Sequence, residues 1–434
     1  MKIAMIGSGY VGLVSGVCFA DFGHQVACVD KDEGRIGALL RGEIPIFEPG
    51  LDALVEANLR SRRLSFTTDL AAAVAEAEVV FLAVGTPSRR GDGFADLSYI
   101  YAAARDVARA IKGFTVVVTK STVPVGTGDE VERIIAEARP DAEFAVCSNP
   151  EFLREGAAIS DFKLPDRIVV GTGDARAREV MSEVYRPLNL NQPPLYFVDR
   201  RSAELIKYAA NSFLATKVAF INEMADLCEK VGADVQDVAR GIGMDKRIGP
   251  KFLHPGPGFG GSCFPKDALA LVKTAQDHDA PLHIVEAVVA ANDRRKRAMA
   301  KRIVAACGGS VRGKTIGLLG LAFKLNTDDM RDAPSISIVT ALQDAGAKVR
   351  AYDPKAMTQA RPIMPDVTFC DDPYDCATGA EALAMVTEWD EFRALDLTRI
   401  KSLMAAPNLI DLRNIYRPAD ARKHGFSYSS IGRP

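Results

Sequence analysis

Short apolar runs that end in glycine or a polar cluster recur through the N-terminal third of the chain. Lys2–Ile6, Gln25–Val29, Val79–Val84, Phe114–Thr119 and Phe144–Ser148 each read as a strand without polar alternation, the pattern of parallel strands buried on both faces. Between the first two lies a helical stretch, Val11 to Phe22, closed by Gly23. From Ser202 to about Val231 the period changes to one long helix whose apolar positions spread round much of its surface, so burial on several sides is expected. Gly241 to Phe264 is dense in glycine and proline and reads as an ordered loop. Further helices follow from Asp267 to about Cys307. A second strand–helix alternation starts at Gly308, with strands at Lys314–Leu319, Val349–Tyr352, Ala382–Val386 and Asn408–Asp411 and a helix at Ser335–Ala345.

The first strand runs directly into Gly7-Ser8-Gly9-Tyr10-Val11-Gly12. In a G-x-G-x-x-G the glycines allow a tight turn, close approach of a pyrophosphate and close helix–strand packing, and the helix N-terminus offers free N–H groups to the phosphates. Gly7, Gly9, Tyr10, Val11 and Gly12 are therefore candidate dinucleotide contacts. Asp30 ends the second strand, where an acid accepts hydrogen bonds from ribose hydroxyls and repels a 2′-phosphate, favouring NAD over NADP. Arg35 is the counter-signal, since a nearby arginine accommodates that phosphate. The expected architecture is α/β, with two Rossmann-like doubly wound domains joined by a long central helix. The expected parts are a dinucleotide domain over 1–200, a central helical region over 201–307 and a C-terminal α/β domain over 308–434.

In such sheets ligands bind beyond the carboxyl ends of the strands. Thr86, Thr122 and Glu151 stand there, although turn and cap chemistry explains such residues equally well. Glu151 and Glu155 share a face if their segment is helical. Lys207 and Asn211, four apart on the long helix, also share a face, and a buried cation and amide need partners. A substrate oxyanion would serve both; the alternative is a lysine snorkelling to the helix edge. Cys263 sits in the turn Gly258-Phe259-Gly260-Gly261-Ser262-Cys263-Phe264-Pro265-Lys266-Asp267. A thiol beside a lysine has its nucleophilic thiolate favoured, whereas a structural cysteine in a glycine-rich loop is the plainer reading. His254, between prolines, reads as a backbone-anchored contact. Lys324, Arg331 and Arg413 are the cations near the strand ends of the second α/β unit, suited to a phosphate or uronate.

Composition narrows the partners. The 434 residues exceed one core. A formal net charge of -2 gives no reason to expect nucleic acid or a membrane surface. The eight cysteines are scattered, without metal spacing, so no metal is expected and a reducing cytoplasm is. A strand beginning at Lys2 leaves no room for a signal peptide, and no apolar run approaches the about 20 residues of a membrane span.

Taken together, Gly7–Gly12, Ser121-Thr122-Val123-Pro124, Asn149-Pro150-Glu151-Phe152-Leu153, the Glu204–Asn211 segment, the Gly258–Asp267 turn and Gly320–Lys324 resemble the UDP-glucose/GDP-mannose dehydrogenase family over essentially the whole chain. Residues 244–249 and 252–263 are most similar to the members acting on UDP-glucose. The resemblance implies NAD-dependent, two-step oxidation of the sugar's primary alcohol to a uronic acid, with Cys263 carrying first a thiohemiacetal and then a thioester. It further implies that Lys207 and Asn211 stabilise the oxyanion or hold a water, that Asp267 orients Lys207 and a water or acts as base, and that Glu151, helped by Thr122, activates water. Thr86, Thr122, Glu155, Lys266 and Arg331 are implied on the cofactor side. Glu151, Phe152, Leu153, Glu155, Lys207, Asn211, Phe252, Leu253, His254, Gly258, Phe259, Gly260, Lys324 and Arg413 are implied as substrate contacts. Arg247 is implied to reach a partner subunit's substrate, so a homodimer is expected. The competing readings are a sister enzyme acting on GDP-mannose or a UDP-N-acetylhexosamine, an NAD-binding regulator without turnover, and a single-step alcohol dehydrogenase that needs no thiol.

Overall fold

The computed structural model describes residues 1–87, 89, 94–188 and 194–433. The chain separates into two compact units, 1–210 with 273–279, and 211–272 with 280–434.

The first unit is built on eight strands: β1 (Lys2–Ile6), β2 (Gln25–Val29), β3 (Leu64–Thr67), β4 (Val79–Leu82), β5 (Thr115–Thr119), β6 (Phe144–Ser148), β7 (Ile168–Gly171) and β8 (Leu195–Val198), in the spatial order 3-2-1-4-5-6-7-8. The apolar runs do bury both faces. On β1, Ile3 and Met5 enter one core while Ala4 and Ile6 enter the other. Val79 and Phe81 of β4 are divided from Val80 and Leu82 in the same way. The strands read from the apolar runs all pair in parallel; β7, which the sequence did not reveal, joins β6 antiparallel before pairing β8 in parallel. The expected continuation of β4 to Val84 also stops short at Leu82. Beyond it the backbone leaves the sheet to form the crevice side of the glycine turn.

The second unit carries β9 (Thr315–Leu319), β10 (Lys348–Tyr352), β11 (Thr368–Phe369), β12 (Ala382–Met385), β13 (Asn408–Asp411) and β14 (Ser427–Ser430), parallel in the order 11-10-9-12-13-14. This repeats the 3-2-1-4-5-6 order of the first sheet, so each unit has a crevice where the chain reverses direction, beside β1 and beside β9. The helix Arg200–Val231 begins in the first unit and ends in the second. Its 32 residues span about 48 Å at ~1.5 Å per residue.

Glu204 fixes the start of that helix. Its buried carboxylate accepts the amides of Gly126 and Gly128 at 2.7 and 2.8 Å and the Ser148 hydroxyl at 2.9 Å. The amides belong to the first turn of the helix Thr127–Ala138, where unpaired N–H groups and the dipole favour an anion.

Candidate active site

The dinucleotide turn has no room for side chains where the fingerprint demands glycine. A Cβ on Gly12 would stand 1.9 Å from the Gly7 carbonyl oxygen, and one on Gly7 would stand 2.6 Å from that of Ala83. Asp30 accepts from the Ser8 amide at 2.9 Å, the Ser8 hydroxyl at 2.8 Å and Arg35 at 3.2 Å. Burial opposes its charge, but these hydrogen bonds, one from the Asp32 amide and the arginine hold its carboxyl below the usual range. Arg35 is thus paired with the acid that disfavours a 2′-phosphate. A dinucleotide with unmodified ribose hydroxyls fits this turn.

A loop over 149–157 follows β6 and carries several candidates. It is not helical, so Glu151 and Glu155 do not share a helix face; irregular backbone and a turn at Glu155–Gly156, with Gly156 at φ 78°, precede the next helix, Ala158–Lys163. Glu151 is buried. One of its oxygens takes the Leu153 amide at 2.5 Å and the other pairs with Lys207 at 3.2 Å. Lys207 is 3% exposed rather than snorkelling, and its ammonium lies 5.3 Å from the centre of the Phe152 ring. Leu153 packs against the core. The Thr86 hydroxyl donates to the Thr122 carbonyl at 3.0 Å, joining the loops after β4 and β5.

The same unit contains two groups that sequence reading overlooked. Glu48 is buried and accepts the Tyr10 hydroxyl, the Gly156 amide at 2.6 Å and the Ala158 amide at 2.8 Å, tying the glycine turn to the far end of the 149–157 loop. Lys120 is buried at the near end, donating to Asn149 at 3.0 Å and Tyr185 at 3.2 Å. The available signal was a charged residue inside an otherwise apolar or proline-rich run, Ile44-Pro45-Ile46-Phe47-Glu48-Pro49 and Val116-Val117-Val118-Thr119-Lys120.

In the second unit, Cys263 precedes the helix Phe264–Asp277, and its carbonyl accepts the Asp267 amide at 2.8 Å as the first helical bond. A helix N-terminus stabilises a thiolate. The other seven cysteines are buried, whereas Cys263 reaches the surface. Burial pushes the thiols of Cys18, Cys28 and Cys147 up to about 12. Asp267 is fully buried and takes the Asn211 amide at 2.6 Å and the Lys266 ammonium at 2.6 Å.

The turn before Cys263 is clamped on both sides. Asn292 accepts the Phe259 amide at 2.8 Å and donates to its carbonyl at 3.0 Å. The Gly261 amide donates to the Arg331 carbonyl at 2.8 Å, and a Cβ on Gly260 would stand 2.4 Å from the Asp332 oxygen. A side chain at Gly258, Gly260 or Gly261 would push the thiol's turn off this bed. Phe252 and Phe259 both lie against Phe264, and Leu253 is buried beneath.

The remaining candidates are more dispersed. His254 and Arg247 are exposed, and Arg247 is paired only locally, with Asp245 at 2.6 Å. Arg331 pairs with Asp329 at 2.8 Å. Lys324 lies over the Phe323 ring. Arg413 donates to the carbonyls of Val386 and Phe323 at 2.8 and 2.7 Å. Asp353, the counterpart of Asp30 at the end of β10, is occupied: it accepts the Leu321, Ala322, Lys355 and Ala356 amides and the Trp389 indole. Both oxygens of Asp353 are therefore taken up by backbone amides and the indole, whereas Oδ1 of Asp30 accepts from the Asp32 amide at 3.1 Å.

Three parts of the chain match the UDP-glucose/GDP-mannose dehydrogenase family: its NAD binding domain over residues 1–189, its central domain over 201–294 and its UDP binding domain over 317–418. A UDP-glucose 6-dehydrogenase of Rhizobium meliloti (strain 1021) is 69% identical over 436 residues, covering 100% of both chains. One of Pseudomonas aeruginosa is 46% identical, covering 100% of this chain and 98% of its own. The solved UDP-glucose dehydrogenase of the hyperthermophilic archaeon Pyrobaculum islandicum superposes with a TM-score of 0.92 at 39% identity, over 100% of this chain and 98% of its own.

Proposed function

Because the chain belongs to the UDP-glucose/GDP-mannose dehydrogenase family, we propose that it oxidises UDP-glucose to UDP-glucuronate through covalent intermediates on Cys263. The observation that carries this reading is that one thiol of eight is not buried, before a helix N-terminus, in a turn whose Gly258, Gly260 and Gly261 leave too little room for a Cβ. Gly7, Gly9, Gly12 and Asp30 would hold NAD, which when bound accepts one hydride in each of two oxidations.

Cys263 adds as thiolate to the C6 aldehyde, forming the C–S bond of a thiohemiacetal. Loss of the C6 hydride then gives a thioester. Water adds to it, the C–S bond breaks, and the carboxylate and thiol are released. Covalent capture keeps the aldehyde in the site and divides the four-electron oxidation into easier steps. Lys207 and Asn211 stabilise oxyanions. Asp267 orients Lys207 and a water or acts as base, a reading supported by its burial and by its bonds to Asn211 and Lys266. Glu151 activates the hydrolytic water, with Thr122 positioning it. Thr86, Glu155, Lys266 and Arg331 serve the cofactor side; Phe152, Leu153, Phe252, Leu253, His254, Gly258, Phe259, Gly260, Lys324 and Arg413 serve the sugar nucleotide. The division at 1–200, 201–307 and 308–434 separates NAD, thiol and UDP functions.

We propose a homodimer with Arg247 reaching the partner's substrate. Phe213, Phe220 and Leu227, spaced by seven on the central helix, are 67%, 51% and 50% exposed, an apolar stripe suited to a second helix. A reducing cytoplasm suits the free thiols; no helix among the described residues is long and apolar enough to cross a membrane.

The test is NADH production across a panel of sugar nucleotides with product stoichiometry. Two NADH per UDP-glucose, with little from GDP-mannose or UDP-N-acetylmannosamine, is expected. One NADH per sugar overturns the thioester route, another preferred sugar moves the substrate to a sister enzyme, and silence with all of them favours a regulator.

A further inference from the structure

Lys120 is a cation with no place in the proposed chemistry, yet it is buried beside it. It follows β5 directly, and its backbone is held by the Leu82 carbonyl at 2.9 Å. Its ammonium donates to the Asn149 side-chain oxygen at 3.0 Å and the Tyr185 hydroxyl at 3.2 Å. Tyr185 donates to the same Asn149 oxygen at 2.6 Å, and the Asn149 amide group donates to the Val169 carbonyl at 2.7 Å. Three of these contacts fix Asn149, and the Lys120 ammonium lies near the Phe162 and Tyr185 rings. Asn149 opens the loop that carries Glu151 two residues later.

An ammonium so desolvated must meet a compensating need. An ammonium makes stronger, charge-assisted hydrogen bonds than a neutral donor, and here the Asn149 oxygen and the Tyr185 hydroxyl receive them. We propose that Lys120 is a positioning residue for thioester hydrolysis: its ammonium pins the start of the 149–157 loop and so sets the place of Glu151 beside Lys207. This deepens the role proposed above for Glu151 and rests on it.

Burial pulls Lys120 down to about 8, with Glu151 raising it and Lys207 lowering it. Around it stand Glu151 on the loop, Lys207 on the central helix and Tyr185 after the helix Ala175–Val184. Burial, opposed by Asn149, keeps the Tyr185 phenol protonated far above neutrality, so it does not titrate in this range. Above about pH 8, Lys120 loses its proton, its charge-assisted hold on Asn149 weakens, and hydrolysis slows.

The experiment compares Lys120→Met, Lys120→Arg and Glu151→Gln by rapid-mixing NADH kinetics with UDP-glucose and by pH profiles of kcat. Lys120→Met is expected to keep NAD binding and a burst of two NADH per site while kcat falls roughly tenfold or more. Lys120→Arg, which stays charged, is expected to recover most of kcat and to lose the fall above pH 8. Wild-type kcat in Lys120→Met overturns the proposal. So does an unchanged alkaline fall in Lys120→Arg, which remains decisive if Lys120→Met does not fold. If Glu151→Gln stalls after the burst while both lysine variants behave as wild type, only the Lys120 role falls. If Glu151→Gln turns over normally, both roles fall.

Discussion

At the scale of single residues, the chemistry depends on differences between identical side chains. Eight thiols are present, and burial pushes those of Cys18, Cys28 and Cys147 up to about 12, which makes them poor nucleophiles near neutrality. Replacing Cys263 by serine removes the soft nucleophile but leaves the glycine turn of the first unit untouched. We expect Cys263→Ser to bind NAD with wild-type affinity and to lose uronate production by roughly 10³-fold or more. Calorimetric NAD titration together with product analysis checks both halves. Steady turnover to uronate would eliminate the covalent route. The sequence singled out this thiol through its glycines and the Lys266–Asp267 pair. What it did not disclose is that Asp267 is shared by Asn211 and Lys266, because Asn211 lies 56 positions away.

At the scale of elements, the 149–157 loop is held at its two ends. Asn149 anchors the start, and Glu48 anchors the end through the Gly156 and Ala158 amides. Glu48 also accepts from Tyr10 of the glycine turn, so the loop and the dinucleotide turn are coupled through one carboxylate. In Glu48→Gln the new amide group faces donors, leaving at least one buried N–H unpaired. That costs about 1–3 kcal/mol. We expect a lowered thermal midpoint, and a KM for NAD raised severalfold because Tyr10 loses its acceptor; calorimetry and steady-state kinetics read these separately. Loss of stability with an unchanged KM would confine Glu48 to a structural part. The acid was invisible as a partner in the sequence because it and Gly156 are 108 residues apart, while the glycine fingerprint is a local pattern.

For the whole molecule, the two sheets share one strand order but have diverged at corresponding acids. Asp30, at the first crevice, accepts from Ser8, Asp32 and Arg35. Asp353 is consumed by amides and the Trp389 indole at the second. Most of the second sheet lies in the stretch that matches the family's UDP binding domain, residues 317–418. Assembly is testable through the stripe on the central helix. We expect Phe220→Asp, which places a charge in the proposed dimer seam, to shift the species in light scattering from two copies to one. A dimer of wild-type stability would move the interface elsewhere.

The sequence by itself determined the α/β class, the strands β1, β2, β6 and β13 to the residue, the long helix and the dinucleotide turn, and it singled out the one thiol that is not buried. Each is written in spacing along the chain: continuous apolar runs, a helical period, glycines where a Cβ meets backbone. Only the tertiary structure decided that β7 runs antiparallel to β6, that Lys207 is buried against Glu151, and that Glu48 and Lys120 hold the loop between them. Those are pairings of buried charge and polar groups across long separations. Their energy comes from desolvation and from which partner the fold delivers, and no local pattern of residues encodes that.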